Sequence, residues 1–111
     1  MTDQARPQQV PAAEVPADAL LVDVREPDEW TAGHAPGAVH IPLGQLGARY
    51  TEIPQGGRVY VICRAGSRSA QAAHALAGAG WDVANVSDGM NGWAAAGRPM
   101  TNDSGTTPYV A

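Results

Sequence analysis

Four short apolar runs limit what this chain can fold into: Leu20 to Val24 (LLVDV), Val39 to Ile41 (VHI), Val59 to Cys63 (VYVIC) and Val83 to Val86 (VANV). They are rich in β-branched residues, and they lack the regular polar alternation of a strand with one wet face. Runs of this kind predict strands covered on both faces, the condition of a parallel sheet. Parallel strands need crossovers, and helical signals fill the gaps. Asp28 to Thr31 reads as a single turn after Pro27, and Leu43 to Tyr50 as a short helix stopped before Pro54. Ser67 to Gly80 is alanine-rich, starts with serines able to cap and ends in glycine, while Met90 to Ala96 is closed by Gly97. Gln8 to Val10 adds a short edge strand. Strands alternating with helices make an α/β domain.

At 111 residues there is room for one core. The formal net charge of −4 argues against nucleic acid and against an anionic membrane surface, both of which select basic patches. A single cysteine excludes an intramolecular disulfide and a multi-cysteine zinc site, and the three histidines have no ligand spacing, so neither metal nor cofactor is expected. The opening MTDQARPQQV has no apolar h-region and no run reaches the length of a membrane span, so a cytoplasmic protein without a signal peptide is expected.

That one cysteine, Cys63, ends the strongest strand, and a helix follows at once. In open α/β sheets this is where ligands bind. Gly66 is free to take a positive φ, which lets the turn aim successive N–H groups at the sulfur. The helix start adds partial positive charge, and Arg64 and Arg68 add full charges. All three effects favour thiolate over thiol. A thiolate at rest needs no general base. Two arginines beside a thiol that merely filled a core would serve no packing purpose.

The loop CRAGSRS resembles the active-site loop of rhodanese-like sulfurtransferases: cysteine, two residues, glycine, one residue, arginine, serine. LLVDVREPDEW with GHAPGAVHIP, and then SDGMNGW, resemble two further signatures of that family, in order from about Leu20 to Pro99. The resemblance implies a single domain over residues 1–111, with its motif-bearing core at 20–99 and loosely ordered tails at 1–7 and 100–111. It implies a five-stranded, mostly parallel sheet flanked by helices on both faces, with the cysteine strand central. The implied activity moves a sulfane sulfur from a donor such as thiosulfate to cyanide or a thiol through a Cys63 persulfide. Arg64, Ala65, Gly66, Ser67, Arg68 and Ser69 match the cradle. A protein sulfur acceptor or a thioredoxin-like reductant is a further partner that this chemistry admits. Two departures point away from strict thiosulfate use: Ala65 stands where some members carry a second cation, and Asp88-Gly89 stands for a glycine pair. Cysteine phosphatases share the fold but place five residues between cysteine and arginine, whereas four separate Cys63 from Arg68. Two rivals remain open: a sulfur-relay or protein-recognition module with little turnover of small donors, and a redox sensor using the same thiol.

The remaining motif residues read mainly as support. Asp23 is expected to bond loop backbone and to position Arg25, and the four-residue spacing of Arg25 and Glu29 suggests a pair. Arg68 sits in a helix first turn, where a cation opposes the dipole, so it calls for a partner: the donor anion, Asp23 or Asp88. Asp88 itself is expected near the pocket rim. His34 is expected to bond backbone in its turn, His40 and His74 look incidental, and Trp30, Trp81 and Trp93 read as packing or pocket wall.

Overall fold

The computed structural model describes residues 6–111, so most of the expected 1–7 tail lies outside the described residues. The elements run β1 (Gln8–Val10), β2 (Leu20–Asp23), α1 (Pro27–Ala32), β3 (Val39–His40), α2 (Leu46–Arg49), β4 (Val59–Ile62), α3 (Ser67–Gly78), β5 (Val83–Val86) and α4 (Gly89–Ala95). The strands form one sheet in the order β1-β5-β4-β2-β3, every pair parallel, with β4 in the middle. No helix among the described residues is long and apolar enough to cross a membrane.

Side chains alternate across each strand. Val59, Val61 and Cys63 meet Ala72, Ala73 and Leu76 of α3 on one face, together with Val22, Val24 and Val83. Ile62, Leu21 and Val86 meet Met90 and Trp93 of α4 on the other, with Ala12 and Val15. Both faces are dry, which is why the runs do not alternate. The same alternation places Cys63 on the α3 face, one residue beyond the end of β4.

Local chemistry moves several boundaries. The expected helix at 43–50 breaks into a 3-10 turn (Leu43–Gln45), α2 and a second 3-10 turn (Tyr50–Glu52). Gly44 and Gly47 weaken a regular helix there. The segment expected as a single turn is a six-residue helix, α1, with Pro27 at its first position and the Glu26 N–H donating to Glu29 Oε1 at 2.9 Å. The helix α3 ends at Gly78, and Gly80 follows at φ +103°. Residues 100–111 carry little regular structure, but main-chain bonds tie them down. Thr101 exchanges two with His34, at 2.8 and 2.9 Å, and the Tyr109 N–H donates to Ala32 O at 3.1 Å.

Candidate active site

The loop after β4 wraps Cys63, whose residue is only 1% exposed. The Gly66 N–H donates to its Sγ at 3.1 Å and the Ser69 hydroxyl donates at 3.2 Å. Gly66 has φ +106°, and a Cβ there would stand 2.2 Å from the Ser87 carbonyl oxygen, so both conformation and space demand glycine. Gly66 is also the residue that caps α3, with no side-chain cap bond, in place of the serines expected in that role. Ser69 turns inward to the sulfur instead, while Ser67 is exposed.

The start of α4 closes the other side. Gly89, at φ +59°, lies against the loop so closely that a Cβ would come within 2.6 Å of Cys63 O and Arg64 O. The Met90 and Asn91 N–H groups donate to those carbonyls at 2.8 and 3.0 Å. In a trans peptide the N–H points opposite to the C=O. Turning the carbonyls out toward α4 therefore turns the Arg64 and Ala65 N–H groups inward.

Burial pushes the Cys63 thiol up. Against it act the Ser69 hydroxyl and the main-chain N–H groups of Ser69, Gly66 and Ala65, and together they hold the thiol below its ordinary value. The direction is that expected from the sequence. Hydrogen bonds from the loop's own amides, as expected, and from the Ser69 hydroxyl lead the effect, and of the two guanidiniums it is Arg68 that interacts electrostatically with Cys63. Arg64 and Ala65 are exposed, and Arg64 makes no ion pair among the described residues.

Arg68 is held by Glu29 in a fork of two bonds, Nη1–Oε1 at 2.7 Å and Nη2–Oε2 at 2.9 Å. This corrects three expectations. The partner of Arg68 is neither Asp23 nor Asp88, and Glu29 does not pair with Arg25. Arg25 precedes the first residue of α1, so helical four-residue spacing does not apply to it. Asp88 is exposed and its Oδ1 accepts the Ala12 N–H at 2.8 Å, joining the 3-10 turn Ala12–Glu14 to the start of α4.

The Arg68 bonds hold the Glu29 carboxyl down to about 2 from an ordinary 4.5, against burial, which pushes it up. A carboxylate with a depressed pKa contributes stability that is complete above its unfolded value and is lost as the pH falls toward the folded one. Glu29→Gln should therefore melt below wild type near neutral pH, and the gap should close on acidification between 4.5 and about 2. Thermal melts across that range read it. A gap independent of pH would mean that the ion pair contributes nothing to folding.

At the end of β2, Asp23 and Arg25 are both fully buried. Asp23 Oδ1 accepts the Arg25 main-chain N–H and Nε at 3.0 Å, and Oδ2 accepts Nη2 at 2.8 Å. Nη2 also donates to Gly33 O at 2.8 Å, which joins the end of β2 to the turn holding His34. The His34 Nδ1–H donates to the Trp30 carbonyl at 2.7 Å, as expected of a turn-shaping ring. His40, read from the sequence as incidental, donates from Nε2 to Arg25 O at 2.8 Å. Trp30 stacks with both imidazoles, with ring centres 3.5 Å from His34 and 4.7 Å from His40. Two side chains that bond the loop have no place among the sequence candidates as partners of it: Glu29, through Arg68, and Asn85 on β5, whose Nδ2 donates to Gly66 O at 3.2 Å. The unmet dipole cost of Arg68 was the one signal that a carboxylate stood near it.

Residues 8–96 match the Rhodanese-like domain family. A protein named "Sulfurtransferase" from Allochromatium vinosum is 38% identical over 89 residues, 79% of this chain and 83% of that protein. The Bacillus subtilis protein named "Putative sulfur carrier protein YrkF" is 42% identical over 74 residues, which are 66% of this chain but only 40% of that longer protein. The crystal structure of a rhodanese-related protein from Thermoplasma volcanium superposes with a TM-score of 0.82 at 27% identity, covering 86% of this chain and 99% of that one. With its all-parallel sheet, its glycine-built cysteine loop and a match over residues 8–96, the chain belongs to the rhodanese-like domain family.

Proposed function

We propose that the protein is a sulfurtransferase in which Cys63 carries the moving sulfur as a persulfide. The observation that supports this most is the sulfur itself, buried but contacted by the Gly66 N–H at 3.1 Å and the Ser69 hydroxyl at 3.2 Å. These donors favour an anionic sulfur before and after loading. In the first step the Cys63 thiolate attacks the outer sulfur of thiosulfate. A cysteine S–S bond forms as the donor's S–S bond breaks, and sulfite leaves with the bonding pair. In the second step cyanide or a thiolate attacks the terminal sulfur and takes it, and Cys63 returns to thiolate. Arg64, exposed at the loop, meets the anionic donor or its leaving group, a suitable task for a guanidinium fork. Glu29 keeps Arg68 oriented and balances its charge.

Relay is the second reading, favoured by the similarity to a protein named as a sulfur carrier. There the donor is a persulfide on another protein or a small thiol, and thiosulfate turns over poorly. One experiment separates the two. Wild type is treated with thiosulfate or with a small-molecule persulfide, without acceptor, and its intact mass is read before and after cyanide. Gain of one sulfur atom from thiosulfate, stripped by cyanide, is the expected result. Loading from persulfide alone selects relay, and no adduct from either donor overturns both.

A further inference from the structure

Asn85 lies inside β5, a strand whose four residues are all buried, and it is 2% exposed. It shares the α3 face with Val83, and its register neighbours are Val61 on β4 and Gln9 on β1. An amide there is costly unless its groups are paired. The pairing is one-sided. Nδ2 donates to Gly66 O at 3.2 Å and to Gln9 Oε1 at 2.8 Å, while Oδ1 has no partner. Both bonds use the NH₂ group. The Gly66 carbonyl can only accept, so a reversed amide would set oxygen against oxygen there, which determines the orientation, and the Gln9 amide turns its Oε1 to match.

The bond to Gly66 is not needed to satisfy that carbonyl, which already accepts the Ala70 N–H at 3.1 Å as the first bond of α3. Nor does packing call for an amide: β5 is otherwise apolar, and a leucine would leave no orphan oxygen. The bond does fix a direction. With the Gly66 carbonyl drawn toward β5, the N–H at the other edge of the same planar peptide, that of Ser67, points away from β5 and into the turn. It also pins the residue whose own N–H is on Sγ.

We propose that Asn85 is a positioning residue for the chemistry at Cys63: through its bond to the Gly66 carbonyl it holds the loop's amides turned toward the sulfur. The proposal rests on the sulfur-transfer reading for its purpose, but its geometry is tested without any sulfur donor. Asn85→Leu and Asn85→Ala remove the amide. Gln9→Ala, at an exposed edge position, removes only the tether that keeps the amide facing the loop. The rate of Cys63 alkylation is measured against pH for each, with thermal melts beside it, and sulfur loading is measured by intact mass.

Loss of one charge-assisted contact corresponds to about one pH unit. The alkylation midpoint should therefore rise by about one unit in the two Asn85 variants and by less in Gln9→Ala. Loading at neutral pH should slow by about tenfold, while the melting temperature of Asn85→Leu stays near wild type. Folded variants with a wild-type midpoint overturn the proposal, and so does a fall in melting temperature with the midpoint unmoved, which marks a packing residue only. Should neither Asn85 variant fold, an unchanged midpoint in Gln9→Ala overturns it in the same way. Wild type that takes no sulfur from any donor refutes the proposed function, and the alkylation midpoints still decide the role of Asn85.

Discussion

Cys63→Ser is expected to lose sulfur transfer by more than about a thousandfold, with the fold intact. Serine has nearly the same shape and still finds the Gly66 N–H and the Ser69 hydroxyl, so the cost to folding should stay within about 1–2 kcal/mol. What its oxygen cannot do is form the S–S bond of the persulfide that the transfer needs. Neighbouring groups cannot substitute, because this is the sole cysteine in the chain. Cys63→Ala should behave in the same way, which separates loss of the nucleophile from any effect of a new hydroxyl. The measurement is initial rate with thiosulfate and with a persulfide donor, alongside a thermal melt. Transfer surviving in either variant, once wild type is shown to transfer, would take the reaction away from this sulfur.

The largest effect on stability should come from Asp23→Ala. Among the described residues Asp23 is the sole carboxylate bonded to Arg25, and both side chains are fully buried. Removing it strands a guanidinium in a dry interior, a change that costs about 3–5 kcal/mol. For a domain of this size that is a fall in melting temperature on the order of 10–20 °C. Replacing both partners with apolar residues, as in Asp23→Leu with Arg25→Met, should recover much of the loss, because the main cost lies in the unpaired charge rather than in the missing bond. The recovery should be incomplete, since the Arg25 bond to Gly33 O, at 2.8 Å, goes too. Calorimetry on the single and double variants checks both statements. A loss below about 1 kcal/mol in Asp23→Ala would show that Arg25 is neutralised by other means.

The strands were legible because burial on both faces leaves its mark within four or five consecutive residues. LLVDV, VYVIC and VANV lie where their composition puts them, each strand within a residue of its expected end. The cysteine loop was legible for a similar reason. Gly66 is required by its own backbone angle, and the spacing CRAGSRS places the thiol, the glycine and Ser69 within one turn of chain. The short helices were less clear. Whether Leu43 to Tyr50 makes one helix or three tight turns depends on small propensity differences that two glycines decide.

Charges were legible only in part. Asp23 does hold Arg25, as expected, but Glu29, four residues from Arg25 and read as its partner, goes to Arg68 across 39 residues. The pattern of apolar runs, glycines and a cysteine followed by a helix start was enough to determine an α/β domain, the place of Cys63 at a strand end and the turn after it, because those follow from sterics and burial over a few neighbouring residues. The five-stranded sheet with the cysteine strand central was what the family resemblance implied. The tertiary structure alone decided which acid meets Arg68 and that Asn85 reaches Gly66 over 19 residues of chain. Those contacts depend on strand order and register, and a partner brought near by the sheet has no spacing in the sequence by which to find it.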